Sequence, residues 1–129
     1  MLHHLDLDAA YTELRRILKP GGRILCIEAL AQNPLIQAYR NRTPVMRTEW
    51  EEQHILGVPD ALRAKKWFKL GEFKYWHLAE LGAVPFRNSL AFRPLLALGS
   101  ALDSVLLAIP GLQRMAWQFT FELKHPQDD

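Results

Sequence analysis

The sequence predicts an α/β fold in which a helix turns tightly into a buried strand and a half-polar strand closes the chain. Leu7, Ala10/Tyr11, Leu14 and Ile17/Leu18 recur at helical spacing, and Pro20-Gly21-Gly22 stops that helix just before Ile24-Leu25-Cys26-Ile27. Four apolar residues without alternation indicate a strand covered on both faces, as in a parallel sheet sandwiched by helices. At the far end Trp117, Phe119, Phe121 and Leu123 alternate with Gln118, Thr120 and Glu122. One aromatic face and one polar face indicate an antiparallel strand.

The elements follow in order. Asp6 or Asp8 caps the first helix, and Arg15, Arg16 and Lys19 sit at its other end, where the helix dipole favours cations. Helix, turn and strand Arg23 to Ala29 make the second half of a βαβ unit. Only Met1 to Asp6 precede the helix, so its partner strand is expected to lie outside this sequence. Residues 30–66 are polar and mixed in charge; they predict a helix over about Pro34 to Arg42, an irregular stretch and another short helix. Phe73 to Leu81 reads as a strand, with helix as the alternative for His77 to Leu81. Leu95, Leu98, Leu102, Val105/Leu106 and Ile109 mark a helix ended by Pro110-Gly111.

The 129 residues suit one domain, in three pieces: 1–29, 30–66 and 67–129. Sixteen Lys and Arg are mixed with 14 Asp and Glu for a net charge of +2, which argues against a nucleic-acid partner. Cys26 is the one cysteine and the start of the chain has no signal-peptide pattern, so a cytoplasmic location is expected. Leu95 to Leu112 is interrupted by Gly99, Ser100, Asp103, Ser104 and Pro110. It falls short of the ~20 apolar residues of a membrane span and reads as a buried helix or one in peripheral membrane contact.

The run Leu2-His3-His4-Leu5-Asp6, followed by Glu13-Leu14-Arg15-Arg16-Ile17-Leu18-Lys19-Pro20-Gly21-Gly22-Arg23-Ile24-Leu25, resembles the middle of class I S-adenosylmethionine (SAM)-dependent methyltransferases. There "LHH" follows the fourth strand, "LKPGG" closes the next helix, and the fifth strand follows. The similarity continues through Glu28-Ala29-Leu30, Asn33-Pro34, Tyr39-Arg40, Thr43-Pro44, Arg47-Thr48 and Glu52-Gln53-His54, and is loose beyond Leu56. It implies a partial Rossmann-like methyltransferase sheet, made of the C-terminal strands and helices with the last strand antiparallel. It also implies methyl transfer from SAM to a small-molecule, glycan or lipid-like acceptor. The family grips SAM with a glycine-rich loop and an acidic residue on its first strands. The glycines here (21, 22, 57, 71, 82, 99 and 111) form no G-x-G, so the N-terminal SAM-binding half is expected to be absent. The isolated chain is then expected to be inactive and to self-associate through the unpaired edge of Arg23 to Ala29. The alternative is a non-catalytic α+β interaction or membrane-surface module. A nucleotide-dependent oxidoreductase fragment is disfavoured by "LHHLD" joined to "KPGG".

The resemblance places Leu2, His3 and His4 beside the methionine part of SAM, where a histidine also suits a base on the acceptor; their plainer role is a solvated loop and helix cap. Glu28, just past the buried strand, orients substrate or holds the loop of Asn33 to Thr48; its plainer role is to cap the next helix or pair with Arg47. Arg42, Arg47 and His54, with Arg40, Glu49, Glu51 and Glu52, fall in the segment that covers substrate in such folds, where arginine's planar fork suits anionic or polyhydroxylated groups. A salt-bridged surface is the plainer reading. Trp67, Phe68, Phe73, Tyr75 and Trp76 line an acceptor pocket or pack the core. Adjacent histidines and a lone cysteine make no zinc motif.

Overall fold

The structure, a computed structural model, describes residues 2–42 and 55–125. Helix α1 (Leu7–Ile17) is capped by Asp6, not Asp8: the Asp6 carboxylate accepts from the Ala9 amide at 2.9 Å. Its apolar side presents Leu7, Ala10, Tyr11 and Leu14 to the core, with Tyr11 fully buried. Gly21 then takes φ +74°, a conformation that costs glycine little, and turns the chain into strand β1 (Arg23–Ala29).

β1 lies antiparallel to β4 (Gln118–Lys124), from Arg23 opposite Lys124 to Ala29 opposite Gln118. On the other side of β4 lie β2 (Lys69–Leu70) and β3 (Lys74–Trp76), also antiparallel to it. Leu70 faces Leu123 and Lys74 faces Thr120. Three residues on one side thus oppose two on the other, a bulge that begins where the Gly71 amide bonds Glu122 O at 2.8 Å. β4 is therefore central, and β1, β2 and β3 share one direction. This small antiparallel sheet with helices is a mixed α/β arrangement compatible with part of a Rossmann-like fold.

The inner sheet face carries Cys26, Phe119, Phe121 and Leu123, and Phe73 stacks on Phe119 and Phe121 with centroids 6.3 and 5.6 Å apart. Tyr11 packs against Trp67 and Phe68, which follow helix α3 (Val58–Arg63). Burial, then the nearby Glu28 charge, pushes the Cys26 thiol up to about 12.

Three expectations need correction. β1 is covered on one face only: Leu25 and Ile27 on the other are 62% and 56% exposed, because α1 and the aromatic cluster pack on the inner side alone. Its described neighbour is antiparallel. Of the strand expected over Phe73 to Leu81 only Lys74–Trp76 forms: His77 takes φ +64° and the chain continues as a 3-10 helix, Ala79–Phe86, so the helical alternative holds from Ala79. The long apolar helix, α4, spans Phe92–Leu106, so Ile109 lies beyond its end. The helix α2 (Pro34–Arg42) has the expected bounds. No described helix is long and apolar enough to cross a membrane.

Candidate functional site

The shared direction of β1 and β3 brings their C-terminal ends to one edge of the sheet. Ala29 and Trp76 both face Gln118, one on each side of β4. Two strand spacings separate them, about 10 Å. Open α/β sheets take ligands at this edge.

At the β1 end, Glu28 is 3% exposed. Its carboxylate accepts from the Leu2 amide at 2.6 Å and, through the other oxygen, from His3 Nδ1 at 2.6 Å. A carboxylate only accepts, so the shared proton sits on Nδ1 and the ring's tautomer and angle are set. Burial alone raises the Glu28 pKa. Hydrogen bonds to the charged form, those from His3 and the Leu2 amide among them, outweigh that and hold the carboxyl below its ordinary range. His4 is exposed and lies against His3, ring centroids 4.0 Å apart. The loop beyond β1 is tied down as well. Leu30 N donates to Trp117 O at 2.9 Å, Ala31 N to Leu56 O at 3.1 Å, and the buried Asn33 amide to Met115 O.

At the β3 end a cavity of about 450 Å³ opens between β3 and α4. Phe73, Tyr75 and Trp76 form its aromatic side, and Ser100, Ser104 and Gln113 its polar side. Burial raises the Tyr75 phenol's pKa. His77, in left-handed backbone, pairs through Nδ1 with Glu80 at the rim. Such backbone is uncommon outside glycine and tends to occur where surrounding structure enforces it. Here Trp117 N bonds both Trp76 O and His77 O, and Asp103 receives the next three amides, at 2.9 Å from Leu78, 2.5 Å from Ala79 and 3.4 Å from Glu80. His77 also borders a second hollow, of about 610 Å³, over the outer sheet face beside Ile27 and Trp76.

The structure thus joins Leu2, His3 and Glu28 at the expected edge. Glu28 spends its hydrogen bonds on Leu2 and His3 rather than on a helix cap; Arg47 and His54, with Glu49, Glu51 and Glu52, lie outside the described residues. Arg42 ends α2 with an exposed side chain. Phe68 is a core residue and Trp67, Phe73 and Tyr75 pack against that core, while Trp76 is 46% exposed. Sequence reasoning missed Asn33, His77, Glu80 and Asp103. Only Asp103 announced itself, as a lone acid in an apolar helix. Among the described residues no group of three His, Cys, Asp or Glu is placed to hold a metal.

One curated protein shows similarity in a short stretch. The ubiquinone/menaquinone biosynthesis C-methyltransferase UbiE of Caulobacter sp. (strain K31) is 70% identical over 23 residues, 18% of this chain and 9% of that protein. The match points to a SAM-dependent methyltransferase. It spans less than a tenth of the relative, too little to establish the family. No family model and no solved structure matches.

Proposed function

We propose that the chain is the C-terminal part of a SAM-dependent methyltransferase acting on a small-molecule or lipid-like acceptor. The supporting observation is the buried Glu28 carboxylate at the C-terminal edge of β1, bound to Leu2 and His3 within the stretch that resembles the family. When bound, SAM supplies a methyl group on a sulfonium, a carbon already activated for in-line displacement. The residues here fit one wall of such a site: Glu28 fixes the backbone of Leu2 and the ring of His3, with His4 beside them. The sequence has no G-x-G to cradle SAM, so this chain alone is expected neither to bind SAM measurably nor to turn over.

The protein's work in such a reaction is alignment and removal of one proton. The cavity beside β3 would take the acceptor, with His77, which lines it and pairs with Glu80, as the group that removes that proton. The relative's name describes C-methylation in quinone biosynthesis. An electron-rich hydroxylated ring held against Tyr75 and Trp76 is the matching version here: loss of its hydroxyl proton would make the adjacent ring carbon nucleophilic toward the methyl group that SAM would supply, and the hydrogen on that carbon would return to the oxygen as the ring regains aromaticity. The test is mass spectrometry of a hydroquinone incubated with deuteromethyl SAM and the chain extended on its N-terminal side. A labelled product is expected, formed about 100-fold more slowly by His77→Ala. Labelled product at equal rates from both forms would remove His77 from the mechanism. If the extended form gave no product with any hydroquinone yet bound SAM, the acceptor class would be wrong.

A further inference from the structure

Helix α4 is turned inside out. Its buried stripe carries Gly99 and Asp103, whereas Leu98, Leu102 and Val105 are 58%, 46% and 64% exposed. The cause lies in its partner, the 3-10 helix Ala79–Phe86. A Cβ on residue 99 would stand 2.5 Å from Glu80 Cα, so only glycine lets the two backbones approach this closely. Asp103 must face the same way to receive the amides of Leu78, Ala79 and Glu80. With the small and polar stripe committed inward, Leu98, Leu102 and Val105 point out, while Leu95 and Leu106 are half-buried. The tip joining the two helices is apolar too: Phe86 is 48% exposed and Leu90 fully exposed.

The exposed charges of the hairpin Ala79 to Leu106 share one sign. Its charged residue types are Glu80, Arg87, Arg93 and Asp103. Arg87 and Arg93 are exposed, Glu80 is half-buried against His77, and Asp103 is buried under its hydrogen bonds. A second copy packed hairpin to hairpin would bring these arginines against the same arginines. An anionic bilayer complements both features, since it takes apolar side chains below its headgroups and attracts arginine at its surface. At 15 residues α4 is too short to span the hydrocarbon, so it would lie in the interface plane.

We propose that the hairpin Ala79 to Leu106 docks on an anionic lipid surface, with Phe86 and Leu90 inserted and Arg87 and Arg93 at the headgroup phosphates. The inference stands apart from methyl transfer and holds for a non-catalytic module equally. It is tested by sedimenting the chain with vesicles of phosphatidylcholine alone and of phosphatidylcholine with phosphatidylglycerol. Binding is expected to the anionic vesicles, to weaken as salt is raised, and to be weak to the neutral ones. Arg87→Gln with Arg93→Gln should lower the partition coefficient about 25-fold, roughly fivefold for each charge. Phe86→Ser with Leu90→Ser should lower it for both vesicle types. All four positions are exposed, so far-ultraviolet circular dichroism should show each variant folded as wild type. Equal binding to both vesicle types would overturn the proposal, and so would wild-type binding by the double arginine variant. Absence of binding together with a concentration-dependent dimer in light scattering would assign the surface to a second copy instead.

Discussion

Replacing Glu28 by glutamine tests the candidate site through its energetics, without any ligand. The carboxylate sits 3% exposed and receives Leu2 N and His3 Nδ1 at 2.6 Å each, one on each oxygen. Glutamine keeps one acceptor and turns an NH2 group toward the other donor, so one charge-assisted bond is lost and a donor is left facing a donor. Hydrogen bonds to a buried charge contribute about 1.5–3 kcal/mol each, so Glu28→Gln should destabilise the fold by about that amount at neutral pH. The pH dependence carries a sign. The folded-state pKa lies below the ordinary value of 4.5, so folding is favoured by ionisation. That contribution is complete above the unfolded pKa and fades as pH falls through the lowered folded value. Glutamine does not titrate. The carboxylate's share of the gap between the two proteins in urea unfolding should therefore be complete above the ordinary value of 4.5 and shrink as pH falls below it. A gap that persists unchanged into acid, or a glutamine variant as stable as wild type at pH 7, would refute the assignment of Glu28 as the ionised hub.

Other outcomes follow from the hairpin and the core. Asp103→Ala removes the acceptor for three consecutive amides and should cost about 2–3 kcal/mol in urea unfolding, with Asp103→Asn milder. Gly99→Ala gains up to about 1 kcal/mol in helix propensity but drives a Cβ into Glu80 backbone; overpacking of about 1–3 kcal/mol should leave it destabilised. Because both residues act on Glu80, the double variant should lose less than the sum, as read from a double-mutant cycle. The Tyr11 hydroxyl is buried with no hydrogen-bond partner among the described residues. Tyr11→Phe should accordingly leave thermal stability unchanged or raise it by up to about 1 kcal/mol, and a clear loss would mean the hydroxyl has an unrecognised partner.

Local chemistry made much of this fold legible. The Asp6 cap, the Pro20-Gly21-Gly22 stop, the bounds of α2 and the alternation of β4 are all set by neighbours within a few residues. The edge position of Glu28 followed from its place at the end of an apolar run. What failed was decided at long range. Whether Leu25 and Ile27 are covered depends on what packs above them, which periodicity cannot report. The strand beyond Trp76 was cut short by a carboxylate 25 residues away in sequence from Leu78, reaching over from α4. For the same reason the leucine pattern of α4 marked a helix without saying which face packs inward. Hydrophobic spacing identifies a stripe, but Gly99 and Asp103 decided which stripe went inside. His77 had no local signal, because its backbone is held by Trp117 and its ring by Glu80.

The central claim is that the Glu28 edge forms one wall of a SAM site completed by residues outside this sequence. Isothermal titration of SAM into the chain, and into a form extended on its N-terminal side, tests it most directly. Binding is expected for the extended form alone, and to be weakened by His3→Ala in protein that far-ultraviolet circular dichroism shows to be still folded. Equal binding by the extended form with and without the His3 substitution would contradict the placement of the site. Absence of binding to either form would contradict the methyltransferase reading itself.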